Sequence, residues 1–286
     1  MSIISRRQFL GQTAAGMAAA GGITGGAAEL HANPLGLAIG CQTWPVRQSI
    51  GSDFAGTLGK LAAEGFQTIE MCSPPSYADS GFGPLAGLKA GELREKIRAA
   101  GLKCESCHYG FKELKEHLDE RIAYAKELGL KQMIVSTFSL PRGAAMADWL
   151  RAAAELNKLG ERARKGGIQM GFHNHDFEFQ KIEGQLIYDK LLGEFDPQLV
   201  KMQFQVAVVR LGYQAAEYFE KYPGRFISMH LADWSPEKKQ EVPLGQGIVD
   251  WKKTFAAAKT GGVQNYFVEM EPEAMKASVP YLRTLS

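Results

Sequence analysis

Apolar residues along the chain alternate between two textures. Short β-prone runs occupy residues 35–42, 68–72, 103–108, 132–136, 169–173, 201–205, 226–231 and 265–269, and each reads as a strand. Between them lie longer stretches with apolar residues three and four apart, at 53–64, 88–100, 113–128, 144–165, 215–221 and 251–259, which read as helices. Glycines stand where those patterns stop: Gly65, Gly101, Gly129, Gly166-Gly167 and Gly261-Gly262. Glycine tolerates the left-handed backbone that closes a helix, and the next strand follows each within a few residues, as in a repeating parallel βα unit. An open doubly wound sheet would show fewer strands and a glycine-rich first turn, whereas Gln42-Thr43-Trp44-Pro45 follows the first strand here. Eight units close on themselves, so the expectation is an α/β chain folded as a single (β/α)8 TIM barrel over residues 33–286.

The first thirty residues break the pattern. Ser5-Arg6-Arg7-Gln8-Phe9-Leu10-Gly11 precedes a weakly apolar Ala/Gly stretch that ends at Leu30-His31-Ala32. Paired arginines, a mildly hydrophobic middle and a small residue at the end have the form of a twin-arginine export signal. That reading makes 1–32 a signal peptide, the twin-arginine translocase a partner during export, and the periplasm the location of the mature chain. No later segment is long and apolar enough to span a membrane. The formal net charge of +2, from 33 basic and 31 acidic side chains, gives no reason to expect nucleic acid as a partner. Cys41, Cys72, Cys104 and Cys107 all fall in strands 1 to 3. Cys104 and Cys107 in an extended strand point to opposite faces, unsuited to a zinc knuckle, so buried thiols are expected, with a Cys41–Cys72 disulfide as the alternative in an oxidising compartment.

In a barrel, chemistry sits where strands end and βα loops begin. Those positions hold Trp44 and Arg47 after strand 1, Glu70 in strand 2, His108 after strand 3, and His173, Asn174, His175 and Asp176 after strand 5. Gln203 and Gln205 come from strand 6, His230 and Asp233 from strand 7, and Glu269 and Glu271 from strand 8. Imidazoles and carboxylates converging on one rim suit a divalent transition metal such as Mn, Co or Zn better than Ca or Mg. Trp44 and Trp234 offer aromatic faces for a sugar ring, Arg47 and His175 offer polar contacts, and the run Pro236 to Glu241 reads as a solvated turn.

Gly171-Phe172-His173-Asn174-His175-Asp176-Phe177-Glu178-Phe179, Tyr222-Pro223-Gly224-Arg225-Phe226 leading to His230-Leu231-Ala232-Asp233, Gly245-Gln246-Gly247-Ile248-Val249-Asp250-Trp251, and Tyr266-Phe267-Val268-Glu269 resemble, in order, segments of the sugar phosphate isomerase/epimerase family of xylose isomerase-like barrels. The resemblance implies a divalent metal held at the ends of strands 5 to 8, falling here on His173, Gln205, His230 and Glu269. Two positions depart from the usual Glu, Asp, His, Glu: His173 replaces a carboxylate, and Gln205 replaces Asp with a neutral and poorer ligand. The resemblance also implies proton abstraction next to a sugar carbonyl, with Glu269 as base and Glu70 or His108 across the mouth as the second proton-transfer group. The activity expected is that of a sugar isomerase or epimerase acting on a sugar or keto-sugar. The alternatives are a β-elimination lyase on 3-keto-glycosides, in which His108 or His175 protonates the departing oxygen, and a non-catalytic periplasmic sugar-binding protein.

Overall fold

The computed structural model describes residues 33–285, so the Arg6-Arg7 signal and its cleavage point at Ala32 lie outside the described residues. Eight parallel strands form a closed barrel: β1 Gly40–Gln42, β2 Thr68–Cys72, β3 Lys103–Tyr109, β4 Gln132–Val135, β5 Gln169–His173, β6 Val200–Gln205, β7 Phe226–Leu231 and β8 Asn265–Val268. Each strand pairs with its neighbour in sequence, and β8 returns to β1 through Gly40 opposite Phe267 and Cys41 opposite Val268. These are the eight strands read from the hydrophobic pattern. The first is shorter than residues 35–42, because Pro34–Gly36 forms a 3-10 turn in which Leu35 takes a φ of +60°.

The outer helices bury one stripe each. In the helix Met146–Lys165, the residues Trp149, Ala152, Ala153, Leu156, Leu159 and Ala163 recur at three- and four-residue spacing and pack on the barrel, while Arg162, Arg164 and Lys165 place positive charge in the last turn. Phe111–Leu128 ends on Gly129 at φ +97°, where the glycine N–H donates to Ala125 O at 2.9 Å. Three helices lie outside the helical stretches read from the sequence: Arg47–Ser52 and Ile187–Glu194, six and eight residues long, and Pro272–Leu282, which carries Pro280 inside it. Among the described residues no helix is long and apolar enough to cross a membrane.

All four cysteines are buried and unbridged. A Cys41–Cys72 disulfide is ruled out by register: Cys41 stands opposite Ile69, leaving Cys72 three residues further along β2, or about 10 Å at ~3.3 Å per residue.

One loop over the C-terminal face hangs on one carboxylate. Asp233 is fully buried and accepts five hydrogen bonds, from the N–H groups of Trp234, Gly245, Gly247 and Val249 and from the indole Nε1 of Trp251, at 2.9 to 3.2 Å. Gly247 has no alternative, since a Cβ there would lie 2.1 Å from Asp233 Oδ1. Asp233 is thus a structural clamp rather than part of the rim chemistry. Asp233→Ala should cost about 3 kcal/mol by leaving several buried donors unsatisfied, a loss readable as a lowered midpoint in urea unfolding followed by circular dichroism.

Candidate active site

A cavity of about 540 Å³ opens at the C-terminal end of the barrel. Its floor is built from buried polar side chains that several strands aim inward. Glu70, in the middle of β2 with zero exposure, is the hub. Its Oε1 accepts from Ser106 Oγ of β3 at 2.5 Å and Gln203 Nε2 of β6 at 2.8 Å. Its Oε2 accepts from Gln42 Nε2 of β1 at 2.7 Å and faces His230 Nε2 of β7 at 2.6 Å and His108 Nε2 of β3 at 3.2 Å. Gln203 is braced in turn, bonding Ser228 Oγ at 2.9 Å and His108 Nε2 at 2.6 Å.

Three imidazoles sit above this hub. His108, His173 and His230 present ligand atoms all within 4.8 Å of one another. His230 stacks on His108 with ring centroids 5.2 Å apart, and His173 leans on His230 at 4.6 Å. His230 Nδ1 reaches Glu269 Oε2 at 2.8 Å, so this ring bridges two carboxylates. Burial opposes its charge, but Glu269 and Glu70 on either side push its pKa up to about 10. For Glu70 burial favours the neutral form, and the two facing imidazoles hold the carboxyl well below its usual range. Glu269 is likewise held below its ordinary value against burial, chiefly by His230.

The donor set fits a divalent metal in one respect that the sequence did not foresee. His173 Nδ1 is buried without a hydrogen-bond partner among the described residues and lies in a ring of three imidazoles that could hold such an ion once His230 releases its proton and one of its two carboxylate bonds. Gln205 Nε2 donates to Glu269 Oε2 at 2.7 Å and its Oε1 accepts from Ala207 N at 3.2 Å, while the third imidazole beside His173 and His230 is that of His108.

The cavity wall contains Trp44, Arg47, Tyr77, His108, His175 and Glu269. The Arg47 guanidinium lies 4.4 Å from the Trp44 ring centroid and donates to Trp44 O. Trp234 lies elsewhere, on the hairpin that pairs Asp233–Ser235 with Gln240–Val242, where it meets Arg210. Glu70 is also off the wall, sealed beneath the imidazoles instead of standing across the mouth. His175 has its pKa lowered to about 4, first by burial, so it faces the cavity as a neutral ring whose Nδ1 has no hydrogen-bond partner among the described residues.

Two acidic wall residues, Glu241 and Glu271, complete the site. The sequence run Pro236 to Glu241 has the look of a solvated turn, yet the pairing of Glu241 opposite Trp234 folds it over the mouth. Burial, then the neighbouring Glu269 and Glu271, raise its pKa against the pull of Arg210. Tyr77 and Ser136, which share a 2.5 Å hydrogen bond on the same wall, carry no charge or motif that would have marked them.

Over residues 58–285 the chain matches the family described as xylose isomerase-like TIM barrel. An inosose dehydratase of Clostridium perfringens is 33% identical over 145 residues, 44% of this chain and 48% of that one. The chain spans about half the length of these curated inosose dehydratases. Among solved structures, a sugar phosphate isomerase/epimerase of Parabacteroides distasonis is 26% identical with a TM-score of 0.71, covering 86% of this chain and 93% of that chain. The zinc-bound IOLI protein shares the fold at 13% identity and a TM-score of 0.62, covering 87% of this chain and 95% of that chain.

The bridged His230 sets a pH dependence. Its pKa is raised from 6.5, so the stability it supplies is fully present below about pH 6.5 and is lost as pH rises through about 10. Glu70, held low, contributes above the ordinary carboxylate pKa of about 4.3 and is lost as acid protonates it. Urea unfolding of the metal-stripped chain should therefore show stability falling between pH 7 and pH 10.5, with a flatter profile in Glu70→Gln. Elemental analysis of the purified protein should find about one equivalent of transition metal, lost in His173→Ala and His230→Ala.

Proposed function

The chain belongs to the xylose isomerase-like TIM barrel family, and from that premise we propose that it removes the proton next to the carbonyl of a keto-sugar or keto-cyclitol and expels the oxygen on the neighbouring carbon. The observation that carries this reading is Glu269: a carboxylate on the cavity wall, tied through Oε2 to His230 and Gln205, with Oε1 in no hydrogen bond among the described residues. Oε1 is placed to take the carbon-bound proton. A metal on the three imidazoles would supply a Lewis acid for the carbonyl oxygen, matching the need for an electrophile as the enediolate forms.

Elimination is favoured over epimerisation by what replaces the second carboxylate. At the end of β5, where the resemblance places a glutamate, stands His173, deep in the floor with its pKa lowered by burial and by the other imidazoles. A two-carboxylate exchange of protons across one carbon lacks its second member there. A departing oxygen needs an acid, and Glu241 meets that need: it holds its proton to higher pH than an ordinary glutamate, while Glu269 gives its proton up more readily. Two carboxyls on one cavity whose environments push their pKa values apart divide the acid and base roles. In the balanced step, Glu269 gains the proton from carbon, the electron pair forms the new C=C bond, the C–O bond breaks, and Glu241 protonates the leaving oxygen. His175, held neutral, serves as a hydrogen-bonding wall residue. His108 remains in the metal ring, so its loss removes the electrophile rather than the acid. The matched inosose dehydratases, which act on a keto-cyclitol by their name, support the same class. The amino-terminal pattern supports export by the twin-arginine route, which favours an unphosphorylated substrate.

Incubation with an inosose, followed by ultraviolet absorbance of the unsaturated product, tests the reading directly. Glu269→Gln and His108→Ala should each lose about 10²- to 10⁴-fold in kcat. Glu241→Gln should lose about 10²-fold when the leaving group is hydroxide and far less when it is a phenol, which needs no proton. An unaffected Glu269→Gln enzyme, or no turnover in the metal-loaded parent, refutes the proposal.

A further inference from the structure

A second cavity of about 720 Å³ flanks the first on the same face of the barrel. Thr137, at the start of the loop after β4, lines both. The partition between them is a pair of stacked rings: His175, on the central wall, lies against Phe177, on the side wall, with centroids 5.1 Å apart and planes within 11°. The two chambers differ in chemistry. The central one carries imidazoles, three glutamates and Arg47, whereas the side chamber is walled by Leu140, Trp149, Phe177, Ile182 and Ile187, with Arg142 its one charged residue. Phe177 is 37% exposed, one of three large hydrophobic residues so placed among the described residues, and the ring of Trp149 stands 6.2 Å from it. Phe177 thus presents an aromatic face on the wall of a concave, mostly apolar site of the kind that takes small molecules.

We propose that the side chamber is an aglycone subsite: the substrate is a glycoside whose keto-sugar ring occupies the central cavity and whose apolar, ring-bearing substituent passes Thr137 to lie between Phe177 and the loop carrying Leu140 and Arg142. Each chamber falls within the ~300–1,000 Å³ usual for small-molecule sites, enough for one ring system apiece. The aromatic wall takes a planar ring, and the absence of carboxylates there disfavours a second free sugar, whose hydroxyls would have few partners. This assignment rests on the reading of the central cavity as a keto-ring site.

Calorimetric titration of the full chain with methyl and phenyl 3-keto-β-D-glucopyranoside tests it. The phenyl glycoside should bind at least tenfold tighter than the methyl glycoside. Ala144→Trp, which fills the side chamber from its loop, should abolish that difference and leave the methyl affinity as in the parent. Phe177→Ala should weaken the phenyl glycoside more than the methyl one. Equal affinities in the parent, binding of neither glycoside at millimolar concentration, or equal weakening of both in Phe177→Ala overturns the subsite. Turnover of inosose with equal glycoside affinities defeats the subsite alone. A tenfold phenyl preference without inosose turnover keeps the subsite and defeats the proposed chemistry.

Discussion

A carboxylate with no access to water cannot remain charged unless the protein supplies the hydrogen bonds that water would have made. Glu70 meets that condition with five partners drawn from four strands: Gln42, Ser106, His108, Gln203 and His230. The dependence runs both ways. Those side chains are fixed because the carboxylate holds them, and the imidazoles that could grip a metal are oriented by the oxygen atoms beneath them. Barrel closure brings β1, β2, β3, β6 and β7 to one point, which no open sheet would do. The site is therefore less a set of residues attached to a fold than the polar plug of the barrel's upper end.

That arrangement explains what could be read in the chain beforehand. The strands were legible because both of their faces are buried, so β-prone runs stand out between glycine-closed helices. His108, His173, His230 and Glu269 were legible because strand ends point at the mouth and charged or titratable residues are conspicuous there. Gln42, Ser106 and Ser228 were not, since a neutral amide or hydroxyl in a strand looks the same whether it braces a carboxylate or faces a helix. Glu70 was noticed but misplaced: alternation along a strand says which face a side chain takes, not how deep below the rim it lies. Glu241 was hidden by its neighbours, because Glu237, Lys238, Lys239 and Gln240 give the run the look of a solvated turn, and only the hairpin pairing turns its last acid inward.

Departures from the expected ligand pattern also acquire a physical sense. An aspartate at position 205 would repel Glu269; an amide there donates to it instead. Exchange of one anion for a donor thus trades ligand strength for control over the neighbouring carboxylate. His173 makes the complementary trade, bringing a neutral nitrogen into a floor where further negative charge would already be crowded by Glu70 and Glu269.

The tethering of Glu269 has a stereochemical consequence. Since Gln205 and His230 both hold Oε2, the carboxylate cannot rotate to offer its two oxygens in turn, and only Oε1 stays available. A base with one usable oxygen meets its substrate from a single side. The two hydrogens of a prochiral methylene beside the carbonyl would then be unequal from the moment of binding, and the handedness of the reaction would be set by the two side chains that hold the other oxygen.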